Sequence, residues 1–221
     1  MGDYQPTARR PIADLFRATA RVPVAVCVKL GIHPDVVSLA SLVAAAGAGA
    51  CFWQAGKWPA LLLVGAGLCL VRLYLNMLDG MVALASGKAS LRGEIVNELP
   101  DRFSDVLIFA GVAHSGLCSV PSGYWAAILA LLTAYVGMLG QAVGAKREFG
   151  GLMSKPWRMA VLMLGACVTA GILLSGRGSM DWGGLTVLDW TCLIVIAGCV
   201  ETIAVRLLRT LRILAQRSRD Q

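Results

Sequence analysis

Between Arg72 and Asp105 the chain reads RLYLNMLDGMVALASGKASLRGEIVNELPDRFSD, a stretch that gathers polar residues out of keeping with an otherwise apolar sequence. Asn76, Asp79, Gly80 and Ala83 recur at i, i+3, i+4 and i+7, so a helix carries them on one face. Gly93, Asn97, Asp101 and Asp105 recur at i, i+4, i+8 and i+12, a second stripe that drifts slowly around its helix. Carboxylates and amide oxygens converging from two such faces form a ligand set for a hard cation, Mg²⁺, Mn²⁺ or Ca²⁺. A cation held there attracts a phosphate or diphosphate, and the small Gly80 and Ala83 leave room for a large group to reach the helix backbone. The alternative is that these groups cap helices and meet lipid headgroups. Six of them at these spacings favour a functional site, because ionisable groups at the edge of a membrane bundle mark function.

Elements able to hold such stripes follow from composition. Of 221 residues, 57% are apolar and 15% charged, and the mean hydropathy is +0.69. This composition excludes an ordinary water-soluble domain. Apolar runs of roughly 20 residues, the length of a membrane-crossing helix, predict six spans over residues 36–55, 59–83, 99–118, 124–144, 157–175 and 188–208. Residues 7–30 alternate basic and apolar groups, with Ile12, Leu15, Phe16, Val22, Val26 and Leu30 available to one side, as an interfacial amphipathic helix requires. The expected fold is all-α and integral to the membrane. It is one domain over residues 1–221, with an interfacial segment (1–33), a six-helix bundle (34–210) and a basic tail (211–221).

The net charge of +7 is distributed as a membrane protein distributes it, which argues against nucleic acid as the partner. Seventeen of the 20 Lys and Arg fall in the N-terminal segment, the loops after spans 2 and 4, and the tail. The opposite loops hold only Lys57 and Arg177. The positive-inside rule therefore predicts a multi-pass protein with both termini, and the polar stripes, on the cytosolic side. Trp53, Trp58, Trp125, Trp157, Trp182 and Trp190 fall near span ends, as interfacial anchors do. The seven cysteines sit singly in apolar runs and read as packing residues. His33 and His114 show no evident partner in the sequence.

The stretch from 76 to 101 resembles the signature of the CDP-alcohol phosphotransferase family, DxxDGxxARx8GxxxDxxxD. Asn76, Asp79, Gly80, Ala83, Leu84, Gly93, Asn97 and Asp101 occupy its fixed positions with every spacing kept. A weaker similarity lies at Pro34, Asp35 and Ser38, where the family often has Pro-Asn-x-x-Thr. The resemblance implies a metal-dependent transferase of phospholipid biosynthesis, a homodimer that moves a phosphatidyl or related group from a CDP-linked lipid to an alcohol and releases CMP. It implies a Mg²⁺ or Mn²⁺ centre at Asn76, Asp79, Asn97 and Asp101, with Asp101 as general base and Asp79, Gly80, Ala83 and Gly93 at the CDP group.

The chain departs from that signature at three positions. Asn76 and Asn97 replace aspartates, and Leu84 replaces the arginine. An asparagine supplies an oxygen without charge and bridges two cations poorly. Glu94, Glu98 and Asp105 are nearby carboxylates that could compensate, and Arg72, one turn before Asn76, could meet a diphosphate in place of the missing arginine. For Arg72 the alternatives are snorkelling or pairing with a carboxylate such as Glu201. Pro100 is expected to kink or start span 3, re-aiming Asp101 and Asp105. Lys146, Arg147, Lys155 and Arg158 lie on the same side and suit an acidic acceptor such as a polyol phosphate, or equally an anionic membrane surface. The same departures admit a second reading, a non-catalytic membrane protein of this fold that binds a nucleotide-lipid or supports a partner enzyme.

Overall fold

The computed structural model describes residues 11–88, 90–145, 147–176 and 181–218. Seven helices follow one another: α1 (Pro11–Lys29), α2 (Pro34–Gln54), α3 (Leu61–Ala85), α4 (Leu91–Ala113), α5 (Val120–Ala142), α6 (Lys155–Leu174) and α7 (Val187–Arg217). Among the described residues there is no strand, only an isolated bridge between Trp182 and Leu185. Proline sits in the first turn of α2, α5 and α6, where its missing N–H is no loss. His33, without a partner in the sequence reading, caps α2: its Nδ1 accepts from the backbone N–H of Asp35 at 3.3 Å.

Helices α2 to α7 close a ring in the order α3, α2, α4, α5, α7, α6 and back to α3. The helices bearing the two polar stripes, α3 and α4, scarcely touch along their lengths, because α2 lies between them. Phe52, Leu62, Ile108, Phe109, Met159, Leu162, Leu188 and Val195 are fully buried in the core inside this ring. α1 lies outside it, with Ala20 and Val24 packed on Val37, Leu78 and Val82, and Tyr74 donates to the Thr19 carbonyl at 3.4 Å.

α2 and α4 approach closely through glycine. A Cβ on Gly111 would stand 2.7 Å from the Cα of Gly49 and overlap its carbonyl oxygen. Small residues permit such backbone approach in lipid, where apolar burial alone does not draw helices together.

Among the described residues five helices (α2, α3, α5, α6 and α7) are long and apolar enough to cross a membrane, which makes the protein integral and multi-pass. The expected third span, over 99–118, is the exception. It begins eight residues before the expected boundary, at Leu91, and ends at Ala113 rather than 118. Its first fifteen residues carry Arg92, Glu94, Glu98, Asp101, Arg102 and Asp105, so only its second half is apolar. Pro100 lies inside α4 rather than at its start. It leaves the helix without one N–H, and Ser104 donates to its carbonyl at 2.8 Å. Likewise the tail expected from 211 is helical through Arg217, a continuation of α7.

Gly111→Val should lower the melting temperature in detergent sharply, by at least the ~1–3 kcal/mol of an overpacked core, since the clash is with backbone. Gly67→Ala, which meets nothing within 4 Å, should leave it within a degree or two. Equal melting of the two variants would refute the close α2–α4 contact.

Candidate active site

The two stripes meet where the C-terminal half of α3, the first half of α4 and the start of α6 converge. Asn76 and Asp79 come from α3, Asn97 and Asp101 from α4, and Lys155 from the first position of α6. The side chains form a hydrogen-bonded chain. Asn97 Nδ2 donates to Asp79 Oδ1 at 3.4 Å, and Asn76 Nδ2 donates to Asn97 Oδ1 at 3.2 Å and to Asp101 Oδ1 at 2.8 Å. The Lys155 ammonium donates to Asn76 Oδ1 and to Asp101 Oδ2. All four residues expected as metal ligands are therefore brought together, with a lysine that the sequence reading had placed at the acceptor.

Asp79 is oriented from α2. Ser38 donates to its Oδ2 at 2.7 Å, and the Gly80 N–H donates to its Oδ1 at 2.6 Å. Ser38 is the residue singled out by the weaker similarity near Pro34, and its role is now physical: it fixes the carboxylate rotamer. Gly80 and Ala83 lie half-buried on the same face, and a Cβ on Gly80 would meet nothing within 4 Å. The helix surface beside Asp79 is thus open to a bulky group. Gly93 sits in the first turn of α4, where its N–H is capped by Ser90 Oγ at 3.0 Å.

Beneath the ring runs a second, buried layer. Asp105, one turn after Asp101, accepts from Arg72 Nη2 at 3.0 Å and from Arg158 Nη2 at 2.8 Å. Arg72 also reaches the Asp101 carbonyl at 3.3 Å and its Oδ1 at 3.4 Å. Expected at a diphosphate or beside Glu201, Arg72 is instead fully buried, because it lies a full turn deeper in the bundle than Asn76. Its Nε and Nη1, and the Nε of Arg158, have no partner. Asp101 and Asp105 thus meet the three cations Arg72, Lys155 and Arg158, while Asp79 is held by the neutral donors Ser38, Gly80 and Asn97.

The other carboxylates expected to compensate for the asparagines point elsewhere. Glu98 is one residue, about 100° of helix, round from Asn97, and it pairs with Arg102 and Arg147. Glu94, half-exposed, lies 3.6 Å from Arg147. Asp105 serves the arginines. Of the four basic residues expected at an acceptor, Arg147 is on the glutamates, Lys155 is in the ring and Arg158 is buried, donating also to the Met153 carbonyl at 3.1 Å. Lys146 lies outside the described residues.

Sequence reasoning missed the groups that hold the segment leading into α6. Thr202 Oγ1 accepts from the Met153 N–H at 2.9 Å, and Glu201 accepts from the Leu152 N–H at 3.0 Å. Arg206 reaches the Gly150 and Thr133 carbonyls at 2.9 and 2.6 Å. Their signal was three polar residues within an apolar span, but no spacing rule tied them to residues some fifty positions earlier. His114 also finds partners, stacking on Trp53 with centroids 4.8 Å apart and meeting the Tyr124 hydroxyl at 3.0 Å, at the opposite end from the ring.

Comparison with known proteins agrees with the geometry. No family model matches the chain. It is 30% identical over 145 residues to a phosphatidylinositol phosphate synthase of Mycolicibacterium smegmatis, covering 62% of this chain and 63% of that protein. It is 24% identical over 177 residues to an archaetidylinositol phosphate synthase of Methanothermobacter thermautotrophicus, covering 79% and 80%. Crystal structures of the Mycobacterium tuberculosis phosphatidylinositol phosphate synthase share the fold. With CDP-DAG bound, that structure gives a TM-score of 0.69 at 22% identity over 88% of this chain and 94% of that one. In complex with manganese and citrate it gives 0.69 at 21% over 87% and 88%. The chain spans just under two thirds of the length of the Mycolicibacterium smegmatis protein and shares the fold of the M. tuberculosis structures. Against the signature quoted above, the chain carries Asn76, Asn97 and Leu84, and Lys155 lodges between the signature side chains.

The donor set fits a hard cation. Among the described residues no three of His, Cys, Asp and Glu gather as a metal site, so the two carboxylates need the amide oxygens of Asn76 and Asn97 to complete one. Those four side chains already lie within hydrogen-bond reach of one another, and all present oxygen.

Breaking the buried layer should be costly. Arg72→Met strands Asp105 on Arg158 alone and removes one cation from Asp101; about 3 kcal/mol of stability, the low end for a broken buried pair, should be lost. Thermal unfolding in detergent reads this, and an unchanged melting temperature would show that Arg72 is dispensable to the fold.

Proposed function

We propose that the protein transfers a phosphatidyl or related phospho-alcohol group from a CDP-linked lipid to an alcohol, releasing CMP, at the ring formed by Asn76, Asp79, Asn97 and Asp101. The single observation that carries this reading is the convergence of all four signature positions from α3 and α4, beside an open helix surface at Gly80. The names of the relatives support a phosphorylated polyol as acceptor, and the CDP-DAG bound to the M. tuberculosis protein supports a CDP-linked lipid as donor.

In this reading Asp79, Asp101 and the amide oxygen of Asn97 would hold Mg²⁺ or Mn²⁺, the Asn76 oxygen being occupied by Lys155, and the ion would supply charge neutralisation for the diphosphate and the departing CMP. Gly80, Ala83 and Gly93 let the nucleotide lie against the backbone of α3 and α4. Asp101 receives the proton of the acceptor hydroxyl as that oxygen bonds to the lipid-side phosphorus and the bond from this phosphorus to the CMP oxygen breaks. Ser38 keeps Asp79 in its rotamer, and Arg72 keeps Asp101 in place from below. The distribution of Lys and Arg puts this end of the bundle and both termini in the cytosol. Glycine-rich spans are suited to pairing two copies into a homodimer. The whole chain acts as one domain.

Asp101→Ala should reduce metal-dependent CMP release from CDP-diacylglycerol, with inositol phosphate as acceptor, by at least about 100-fold, the typical contribution of a positioned acid or base. Gly80→Val should reduce it comparably by raising KM for the CDP-lipid while the melting temperature holds. Full activity in both variants would sink the reading. Silence of the folded wild-type protein across acceptors, with CDP-lipid still bound, would support the second reading, a non-catalytic binder, which the neutralisation of Asp101 by Lys155 favours.

A further inference from the structure

The ring presents its oxygens to two separate places. Asn76 Oδ1 and Asp101 Oδ2 face the Lys155 ammonium. Asp79 Oδ1, Asn97 Oδ1 and Asp101 Oδ1 instead receive the amide N–H groups of Asn76 and Asn97, at 2.8 to 3.4 Å. The first place already holds a full positive charge, supplied by a side chain that is itself anchored at the start of α6. The second is filled by neutral amide donors, which a cation can displace, and Arg72 touches only its edge, reaching Asp101 Oδ1 at 3.4 Å from the buried layer. We propose that the centre takes a single divalent cation, between Asp79, Asn97 and Asp101, and that Lys155 is a built-in second cation at Asn76 and Asp101. This rests on the proposed metal-dependent transfer and specifies the composition of its site.

Charge supports the assignment. With Asn at 76 and 97, three carboxylates at and beneath the ring are matched by Arg72, Arg158 and Lys155. One divalent ion added to this neutral set gives an excess of two positive charges, which suits a diphosphate. Two such ions would leave four, with one of them beside an ammonium and bound by a single charged oxygen donor. Mutual repulsion and the shortage of anionic ligands both oppose the second ion. Asn76 fits the lysine for the same reason, since its neutral oxygen accepts one N–H of an ammonium that Asp101 neutralises.

The test counts metal rather than turnover. Purified wild-type protein in detergent, equilibrated with Mn²⁺, should bind one ion per chain and give the EPR spectrum of an isolated Mn²⁺. The folded double variant Lys155→Met, Asn76→Asp exchanges the cation for a carboxylate, and should bind two ions with a broadened, coupled spectrum. Two coupled ions in the wild type, or one in the folded double variant, would overturn the lysine assignment and leave the transferase reading standing. No ion in the wild type would overturn the metal centre itself. Should the double variant aggregate, Lys155→Gln alone must bind a second Mn²⁺ at least tenfold more tightly than wild type; equal binding overturns the assignment.

Discussion

Two carboxylates one turn apart on α4 hold the architecture together. Asp101 and Asp105 draw Arg72 from α3 and Lys155 and Arg158 from α6, so that three helices are tied at one end by ion pairs inside a largely apolar bundle. Each of these charges is too costly to bury alone, and each is tolerable because the others are there. The cost explains why α4 is less apolar than its neighbours in the ring and why it begins with a charged half. It also explains the division of labour: the lower layer of Asp105 and the two arginines is structural, and it supports the upper layer, where Asp79 and Asp101 are buried beneath the half-buried Asn76 and Asn97.

The packing of the rest serves this junction. α2, wedged between the two signature helices, sets their separation through the Gly49–Gly111 contact and sends Ser38 to Asp79. The far end of the bundle is closed by the capping box of Thr186 and Asp189, whose carboxylate also takes the Ser119 N–H at 2.8 Å and so fastens the α4–α5 connection to α7. α7 in turn pins the segment before α6 through Glu201, Thr202 and Arg206, which fixes where Lys155 enters the site. The reactive end is thus positioned from both along and across the ring.

What could be read from sequence was whatever depends on local spacing. The stripes at 76, 79, 80 and 83 and at 93, 97, 101 and 105 follow from helical periodicity, and their convergence was expected because a short connection joins two adjacent helices. The bundle was visible for the same reason, whereas Ser38 entered only through the family resemblance. The partners of Arg72, Arg147, Lys155 and Arg158 were not, because each lies 29 to 79 residues away in the chain and depends on how separate helices pack, which no pattern within one helix encodes. Glu98 follows the helical spacing: one residue of rotation from Asn97 turns it away from the site, to Arg102 and Arg147.

The central claim is that this junction breaks the bond between a lipid-side phosphorus and CMP. Its most direct test follows an isotope. CDP-diacylglycerol labelled with ³²P in the phosphate next to the diacylglycerol is incubated with purified protein, Mg²⁺ and inositol phosphate, and the label is traced by chromatography. The account predicts that the label moves into a new acceptor-bearing phospholipid while unlabelled CMP is released. Labelled CDP, or label left entirely in the donor by a folded, metal-loaded protein, would contradict it.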